Sequence, residues 1–540
     1  MKVSKLKLIY LLLFFWLTLF TSCSKDDDES PAPTPNISSF SPESGVEGDE
    51  ITITGEKFSA TISENIVKFN GVTATVNTAS TASLTVTVPE GATSGKITVT
   101  VKGQTATSTD DFTLISPPTI GSFLPERGVE GDEITITGEN FSAIASENIV
   151  KFDGITATVN TASTASLTVT VPEGATSGKI TVTVNGQATT STDDFTVLFI
   201  KQITAGYFYS LILRSDNTLW ATGHNKYGQL GDGTATDVNT PIQIMEGVKT
   251  MAAGTNHTLI LKSDNTLWAA GYNSQGQLGD GTTIDRSTPI QIMEGVKTMA
   301  AGGNHTMILK EDNTLWATGY NSYGQLGDGT KTNKSTPIQT MEGVKAVAVG
   351  NSNYTLILKE NNTLWVCGNN SQGQLGDGTN AGVNTPKQIM EGVQAMAAGG
   401  IHTVILKENN TLWTTGYNFL GQLGDGTTTN RSTPAQIMEG VKAVSAGAAQ
   451  TLILKEDNTL WATGSNEYGQ LGIGSTNNFH KTPFQIMEGV KAMDTRGIHT
   501  MILKEDNTLW VTGYNAYGQL GDGTTTNKST PIQITLSDSK

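Results

Sequence analysis

The C-terminal part of the chain repeats one arrangement of apolar and polar positions. In one copy, polar turns separate four short apolar runs, at Lys249–Ala253, His257–Lys262, Thr266–Ala270 and Pro289–Ile292. Runs of this length, rich in branched residues and Thr, predict β-strands. Adjacent Leu267 and Trp268 must face opposite sides of their strand, yet both are apolar. This indicates a sheet that is covered on both faces.

The arrangement occurs seven times, and each copy carries one tryptophan. The period is 48 or 49 residues, as the positions Trp220, Trp268, Trp316, Trp365, Trp413, Trp461 and Trp510 show. Such a period is typical of a unit that buries its apolar surface only by stacking on neighbours. It predicts a closed seven-bladed β-propeller over residues 199–536, with four strands in each blade.

The repeats share a further sequence signature. The first copy has Leu-Trp-Ala-Thr-Gly at 219–223 and Gly-Gln-Leu-Gly-Asp-Gly-Thr at 228–234, and Gly-Gln-Leu-Gly returns in all seven copies. This pattern closely resembles the regulator of chromosome condensation repeat, which implies the propeller fold. Members of that family include a nuclear exchange factor, a plant ultraviolet photoreceptor and secreted bacterial inhibitors of β-lactamases, so the resemblance does not specify a ligand.

Two tandem copies of another unit precede the repeats, at 36–115 and 119–197. Alternation of apolar residues and Thr at 51–54 and 84–88 predicts half-buried strands, and several such strands in about 80 residues predict a β-sandwich. The positions Pro42, Gly45, Gly48, Phe58 and Phe112, matched in the second copy, resemble the immunoglobulin-like IPT/TIG domain. The resemblance implies a spacer or an accessory binding module. The chain is therefore expected to be all-β, with two tandem immunoglobulin-like β-sandwiches followed by the propeller.

The N-terminus predicts export and lipidation. Lysines precede an apolar run, Leu8–Phe20, that is too short to span a bilayer but is typical of a secretory signal over residues 1–22. The following Cys23 ends a segment that resembles the lipobox of bacterial lipoproteins. Residues 23–35 form an acidic and Pro-rich tether, in which Ser24–Glu29 resembles the export tag of Bacteroidetes surface lipoproteins. A solvated spacer is the alternative. We expect a surface-exposed outer membrane lipoprotein that contacts the membrane through its lipid only.

Charge and cysteine usage exclude several functions. The formal net charge of −16 argues against a nucleic-acid partner. With Cys23 lipidated, Cys367 lacks a partner for a disulfide or a metal cluster. The Asp of each Gly-Asp-Gly-Thr loop falls short of a Ca²⁺ cage and predicts an Asx turn instead. We therefore expect no cofactor, no metal and no catalytic site, and a monomer.

Histidines provide the remaining candidates for catalysis or metal binding. One precedes Thr at the start of the second strand in four copies, at His257, His305, His402 and His499. One histidine per blade forms a symmetric series rather than a cluster of three or four converging ligands. We expect each imidazole to be hydrogen-bonded inside its own blade.

Differences among the seven copies indicate a recognition surface. The second and fourth connections of each repeat barely change, whereas the first and third connections differ from copy to copy. These variable connections are rich in aromatic residues, which suit binding because Tyr offers a large contact area with little loss of entropy. The predicted ligand-binding residues are Tyr207, Phe208, Tyr227, Tyr272, Tyr320, Tyr323, Tyr417, Phe419, Tyr468, Tyr514 and Tyr517. Packing between blades, with sequence drift, is the alternative explanation.

The sequence therefore predicts a lipid-anchored binding protein whose propeller recognises a protein. Two alternatives remain open. The first is a glycan-binding component of a nutrient-uptake system, and the second is a lyase or hydrolase carried by the propeller. A nucleotide-exchange role is disfavoured, because the export leader would place the protein in the wrong compartment.

Overall fold

A computed structural model describes residues 33–476 and 479–536. The described chain is almost entirely β-structure, with two single 3₁₀ turns at Ile62–Glu64 and Ala145–Glu147. Within these residues, no helix has the length and apolar character that a membrane span requires. The predicted signal over 1–22, the lipidation site Cys23 and most of the tether lie outside the described residues.

The first N-terminal unit is a β-sandwich built from alternating strands. Ile51 and Ile53 are buried while Thr52 and Thr54 are exposed, so one face of that strand joins the core. Strand β5 joins the two layers, because it pairs with β4 at its start and with β6 at its end. The strands are β1 (Asn36–Ser41), β2 (Ser44–Gly45), β3 (Glu50–Glu56), β4 (Asn65–Phe69), β5 (Val72–Ala79), β6 (Ser83–Thr87), β7 (Gly95–Val101) and β8 (Gln104–Leu114).

The second unit has the same strand order and the same core positions. Phe195 packs edge-on against Phe152, with ring centroids 4.9 Å apart, as Phe112 does against Phe69 in the first unit. The strands are β9 (Thr119–Leu124), β10 (Arg127–Gly128), β11 (Glu133–Glu139), β12 (Asn148–Phe152), β13 (Ile155–Ala162), β14 (Ser166–Thr170), β15 (Gly178–Val184) and β16 (Gln187–Val197).

Seven four-stranded antiparallel sheets follow, each formed by consecutive strands. Blades 1 to 3 contain β17 (Ile200–Ala205), β18 (Tyr209–Arg214), β19 (Leu219–Gly223), β20 (Val238–Met245); β21 (Val248–Ala253), β22 (His257–Lys262), β23 (Leu267–Gly271), β24 (Arg286–Met293); and β25 (Val296–Ala301), β26 (His305–Lys310), β27 (Leu315–Gly319), β28 (Lys334–Met341). Blades 4 and 5 contain β29 (Val344–Val349), β30 (Tyr354–Lys359), β31 (Leu364–Gly368), β32 (Val383–Met390); and β33 (Val393–Ala398), β34 (His402–Lys407), β35 (Leu412–Gly416), β36 (Arg431–Met438). Blades 6 and 7 contain β37 (Val441–Ala446), β38 (Gln450–Lys455), β39 (Leu460–Ser465), β40 (Phe479–Met487); and β41 (Val490–Asp494), β42 (His499–Lys504), β43 (Leu509–Gly513), β44 (Lys528–Ile534).

The propeller core lies between blades rather than within them. Leu267 packs into the cluster shared with blade 3, and Trp268 packs against the cluster shared with blade 1. This confirms that two adjacent apolar residues serve two neighbouring sheets. Thr266 lies in the turn and not in the strand that the sequence predicts there, because its hydroxyl donates to Asp264 and accepts the Trp268 indole N–H.

The ring closes between blades 7 and 1 without exchanging a strand in the described residues. The Thr222 hydroxyl of blade 1 donates to the Gly518 carbonyl of blade 7 at 2.9 Å. Thr318 of blade 3 makes the equivalent bond to Gly276 of blade 2, also at 2.9 Å. The closing junction is therefore built like an internal one, which the sequence alone did not reveal.

The propeller adjoins the second sandwich directly. Strand β16 ends at Val197 and β17 begins at Ile200. The amide of Leu198 donates to the Gly128 carbonyl at 2.8 Å, and the amide of Phe199 donates to the Ser215 hydroxyl at 3.1 Å. The short connection thus bonds to both units.

Candidate binding face of the propeller

The first and third connections of every blade lie on one face of the ring, because antiparallel strands alternate in direction. In blade 2 these connections are residues 254–256 and 272–285, while residues 263–266 and 294–295 lie on the opposite face. We call the first of these faces the variable face. All eleven predicted ligand-binding residues belong to its connections.

None of the eleven predicted residues is buried. Tyr323 is 46% exposed and Phe419 is 60% exposed, and the other nine are half-buried. Packing between blades therefore does not enclose these rings. Each of them keeps surface that a ligand can contact.

Seven of the eleven residues, together with His224, form a continuous series of ring contacts across blades 6, 7, 1 and 2. Centroid distances along the series include 5.0 Å for Tyr468 and Tyr514, 4.6 Å for His224 and Tyr517, and 4.8 Å for Tyr227 and Tyr272. The rings are tilted or perpendicular, with interplanar angles from 50° to 86°. We call this series the aromatic arc, and its members are Tyr468, Tyr514, Tyr517, Tyr207, Phe208, His224, Tyr227 and Tyr272.

The other four predicted residues form two separate pairs. Tyr320 and Tyr323 lie in blade 3 with centroids 6.2 Å apart, and Tyr417 and Phe419 lie in blade 5 with centroids 5.0 Å apart. Among the described residues, neither pair makes a ring contact with the arc. Blade 4, between them, presents Asn369 at the place of these tyrosines. The variable face is therefore asymmetric, with its aromatic surface concentrated on the closing side of the ring.

His224 is the one member of the arc with a titratable imidazole. Its Nδ1 lies 2.8 Å from Nε2 of Gln229, and since the amide NH₂ can only donate, Nδ1 is the acceptor and Nε2 carries the proton. Burial lowers the pKa of His224, and the nearby Asp237 carboxylate opposes this shift only in part. The arc is therefore uncharged at this position at neutral pH.

The centre of the variable face contains a charged residue that the sequence reasoning missed. Arg496 follows the first strand of blade 7, and its Nη2 donates across the central channel to the Val349 carbonyl of blade 4 at 3.1 Å. Asn351 of blade 4 donates back to the Arg496 carbonyl at 3.1 Å. We call Arg496, Asn351 and Val349 the channel mouth. The sequence signal was available, because six blades have glycine at the place of Arg496.

The buried histidines join neighbouring blades, and the expectation of bonds inside one blade was wrong. The Thr306 hydroxyl of blade 3 donates to the Gln277 carbonyl at 2.7 Å, so His257 Nε2 of blade 2, 3.0 Å away, must donate to that hydroxyl. The equivalent Tyr354 of blade 4 donates its hydroxyl to the His402 carbonyl of blade 5 at 2.5 Å. Burial lowers the pKa of His257 to about 3, helped by the positive charge of Arg496.

The loop carboxylates hold their own turns together. Asp232 accepts from the Thr234 amide and from the Asn225 side chain, both at 2.9 Å, and Asp280 also binds Arg286 at 2.7 Å. These bonds account for the repeated Asp through an Asx turn. Across the described ranges, no group of three His, Cys, Asp or Glu side chains is arranged to hold a metal ion.

Comparisons with solved structures identify the same ring in other proteins. Prp20p of Saccharomyces cerevisiae, described with its binding to Gsp1p and histones, shares 21% identity over 61% of this chain and 88% of its own, with a TM-score of 0.55. Yeast RCC1 (Prp20) bound to Kap60 shares 19% identity over 59% of this chain and 83% of its own, with a TM-score of 0.54. Human WBSCR16 shares 20% identity over 59% of this chain and 94% of its own, with a TM-score of 0.54. At these identities the likeness concerns the fold.

Comparisons by sequence agree with this architecture. No curated protein matches the chain. The IPT/TIG family model matches residues 35–114, which form the first sandwich. The model described as the RCC1-like domain matches residues 155–438 and 294–540, and these matches together span more than half of the sequence. The chain therefore belongs to the RCC1-like domain family.

Proposed function

We propose that this protein is a lipid-anchored cell-surface protein that binds another protein through the aromatic arc. The observation that carries the proposal is the continuity of the arc across four blades, combined with the partial exposure of every ring in it. Tyr-rich surfaces are enriched in protein interfaces because rigid rings bury a large area with little loss of entropy. The RCC1-like fold supports an interaction role, as in Prp20p with Gsp1p and histones.

The geometry of the rings favours a protein over a glycan. Sugars stack on the flat face of an aromatic ring, whereas the rings of the arc pack against each other at 50° to 86°. Because neighbouring rings are tilted, the arc offers no flat platform shared by several rings, and this suits an irregular protein surface better than a stacked sugar chain. Burial raises the pKa of both Tyr207 and Tyr514, so their hydroxyls stay protonated and can donate hydrogen bonds at neutral pH.

Binding, rather than catalysis, is the proposed activity. The histidines at the second strands and the carboxylates of the loops carry the hydrogen bonds that join blades and close turns. The four histidines are also fully buried, so their imidazoles are not accessible to a substrate.

Two matched triple variants of the full chain test the binding face. The arc variant carries Tyr227→Ala, Tyr272→Ala and Tyr517→Ala. The control carries Tyr320→Ala, Tyr323→Ala and Tyr417→Ala, which also removes three tyrosine rings from the variable face, but outside the arc. Each immobilised chain is exposed to cell-surface proteins and, separately, to a panel of polysaccharides. Proteins retained by the wild type and the control are expected to be lost from the arc variant, with affinity reduced at least about 30-fold.

Other outcomes would overturn this proposal. Equal losses in the two variants would remove the arc from the binding site. Retention of polysaccharides without any retained protein would replace the protein ligand by a glycan. Melting curves of both variants show whether the propeller remains folded.

The anchoring proposal has its own test. Cells are labelled with an alkyne-bearing fatty acid, and Cys23→Ser is compared with the wild type. The label is expected on the wild type and absent from the variant, and protease added to intact cells is expected to degrade the protein. An unlabelled wild type, or complete protection from protease, would contradict the proposal.

A further inference from the structure

One blade departs from the uniform chemistry around the central channel. Just after the first strand, six blades have glycine and blade 7 has Arg496. In the six blades with glycine, a side chain at this place would collide with the residue that begins the second strand, since a Cβ on Gly254 would lie 2.6 Å from the His257 ring. The glycines are Gly206, Gly254, Gly302, Gly350, Gly399 and Gly447.

The charge of Arg496 is balanced only in part, through the electrostatic influence of the Asp494 carboxylate. Among the described residues, the guanidinium makes one hydrogen bond, from Nη2 to the Val349 carbonyl. Its Nε is buried without an acceptor, and it forms no ion pair among the described residues. A buried charge without a paired partner is destabilising. Burial lowers the pKa of Arg496, as expected for a charged group in an unfavourable environment.

The carboxylate that acts on the charge of Arg496 is Asp494, and it is hydrogen-bonded to other groups. Asp494 accepts hydrogen bonds from the Ala205 amide of blade 1 and from the Ser445 hydroxyl of blade 6, each at 2.8 Å. It joins three blades at the closing side of the ring. Burial raises the pKa of Asp494, and its hydrogen bonds and the charge of Arg496 oppose this shift only in part.

The mouth lies beside the arc. Backbone hydrogen bonds link neighbouring first connections, such as the Thr255 amide to the Gly302 carbonyl at 3.1 Å and the Ala448 amide to the Gly497 carbonyl at 2.9 Å. A Cβ on Gly497 would lie 1.8 Å from the carbonyl oxygen of Tyr207, a member of the arc. Arg496 therefore lies at the inner edge of the arc, over a channel cavity of about 270 Å³.

We propose that the channel mouth binds a carboxylate of the protein partner, supplied by an acidic side chain at the tip of an inserted loop. The inference rests on the proposed protein-binding function. A cavity of this size admits one side chain rather than a folded domain. One carboxylate oxygen would accept from Nε of Arg496 and the other from the second hydrogen of Nη2, because these two nitrogens share one edge of the planar guanidinium. The arc would contact the residues that flank the acidic one.

Saturation-transfer NMR on the full chain tests the mouth without the partner. The probes are acetyl-Gly-Glu-Gly-amide, its Gln counterpart and tetragalacturonate. The variants are Arg496→Gln and Arg496→Gly, the second restoring the residue of the other six blades. Lys331→Gln is the control, since it removes one exposed positive charge from a variable connection of blade 3. The wild type and the control are expected to bind the Glu peptide at least about tenfold more tightly than the Gln peptide.

Both Arg496 variants are expected to lose this preference while remaining folded, with a melting temperature no lower than that of the wild type. Equal binding of the two peptides by the wild type, or a preference that survives in Arg496→Gly, would overturn the proposal. Arg496-dependent binding of tetragalacturonate without binding of the Glu peptide would overturn it in favour of a polyuronate. If the wild type shows no preference for the Glu peptide while the arc variant loses the protein partner, the carboxylate site fails and the arc stands. If the wild type prefers the Glu peptide while the arc variant keeps the protein partner, the arc fails and the carboxylate site stands.

Discussion

Two series of variable side chains lie close together at the variable face, one buried and one partly exposed, and they behave in opposite ways. At the start of the second strand the residue differs among blades, being Tyr209, His257, His305, Tyr354, His402, Gln450 and His499. Each is buried and joins its blade to the next one. In the flanking connections the aromatic residues also differ, but they remain partly exposed and none of them makes these bridges.

This comparison teaches when variation within a repeat indicates function. Tyr209 reaches the His257 carbonyl at 2.6 Å, and His305 reaches the Thr355 hydroxyl at 3.1 Å. Different side chains thus fulfil one structural task, so diversity at this position carries no information about a ligand. The arc residues have no equivalent task, and their concentration on one side of the ring has no structural explanation in the scaffold.

The largest expected effect is loss of stability in acid, and it arises from the buried series. The pKa values of His257 and His305 lie near 3, and those of His402 and His499 near 4, against about 6.5 in the unfolded chain. Between pH 6.5 and about 4 the unfolded state binds protons that the folded state does not. The contribution of these histidines to the free energy of unfolding is therefore fully present above pH 6.5. It falls with decreasing pH, by about 1.4 kcal/mol per pH unit for each histidine.

Urea unfolding of the propeller across this pH range measures the slope. Gln450 occupies the same place in blade 6 without titrating, so His257→Gln with His305→Gln provides a matched control. The double variant is expected to halve the slope. An unchanged slope would mean that the histidines do not govern acid stability.

A single bridging residue should produce the next largest effect. Tyr354→Ala removes a fully buried ring and its bond to the next blade, and should lower the free energy of unfolding by about 4 kcal/mol. Tyr354→Phe keeps the ring and loses the hydrogen bond, so about 1 kcal/mol is expected. Denaturant unfolding measures both, and similar values for the two variants would show that the cavity is unimportant.

A matched change in the arc should have a smaller effect on stability. Tyr272→Ala removes a half-buried ring whose centroid lies 4.8 Å from that of Tyr227, and should lower the free energy of unfolding by about 1 kcal/mol. Denaturant unfolding of Tyr272→Ala measures this change in the free energy of unfolding. A loss comparable to that of Tyr354→Ala would place Tyr272 in the scaffold and weaken the case for the arc.

The smallest expected effect comes from a substitution that gives blade 4 the residue found in five other blades. Cys367 is buried where five blades have threonine, and burial raises its pKa to about 12. The equivalent Thr318 donates to the Gly276 and Lys334 carbonyls at 2.9 and 2.8 Å. Cys367→Thr should therefore raise the free energy of unfolding by about 0.5 kcal/mol. A destabilised variant would show that blade 4 has diverged in its backbone as well.

Local patterns were sufficient to predict the repeated parts. The adjacent Leu267 and Trp268, the Gly-Gln-Leu-Gly turns and the alternation around Ile51 each report a contact that recurs in every copy, so the all-β class and the seven blades were predictable. Arg496 was not predicted, because the residues that follow its position are the ones that vary among all the blades. The aligned glycines of the other blades would have identified it.

The sequence by itself determined the unit, the number of units and the positions free to vary, because these depend on periodicity along the chain. Only the tertiary structure decided which variable residues meet. Tyr468 and Tyr272 belong to blades far apart in sequence, and the closing of the ring brings them into one arc. It likewise places Arg496 of blade 7 opposite Val349 of blade 4. A closed ring makes neighbours of its first and last units, and no pattern read along the chain contains that contact.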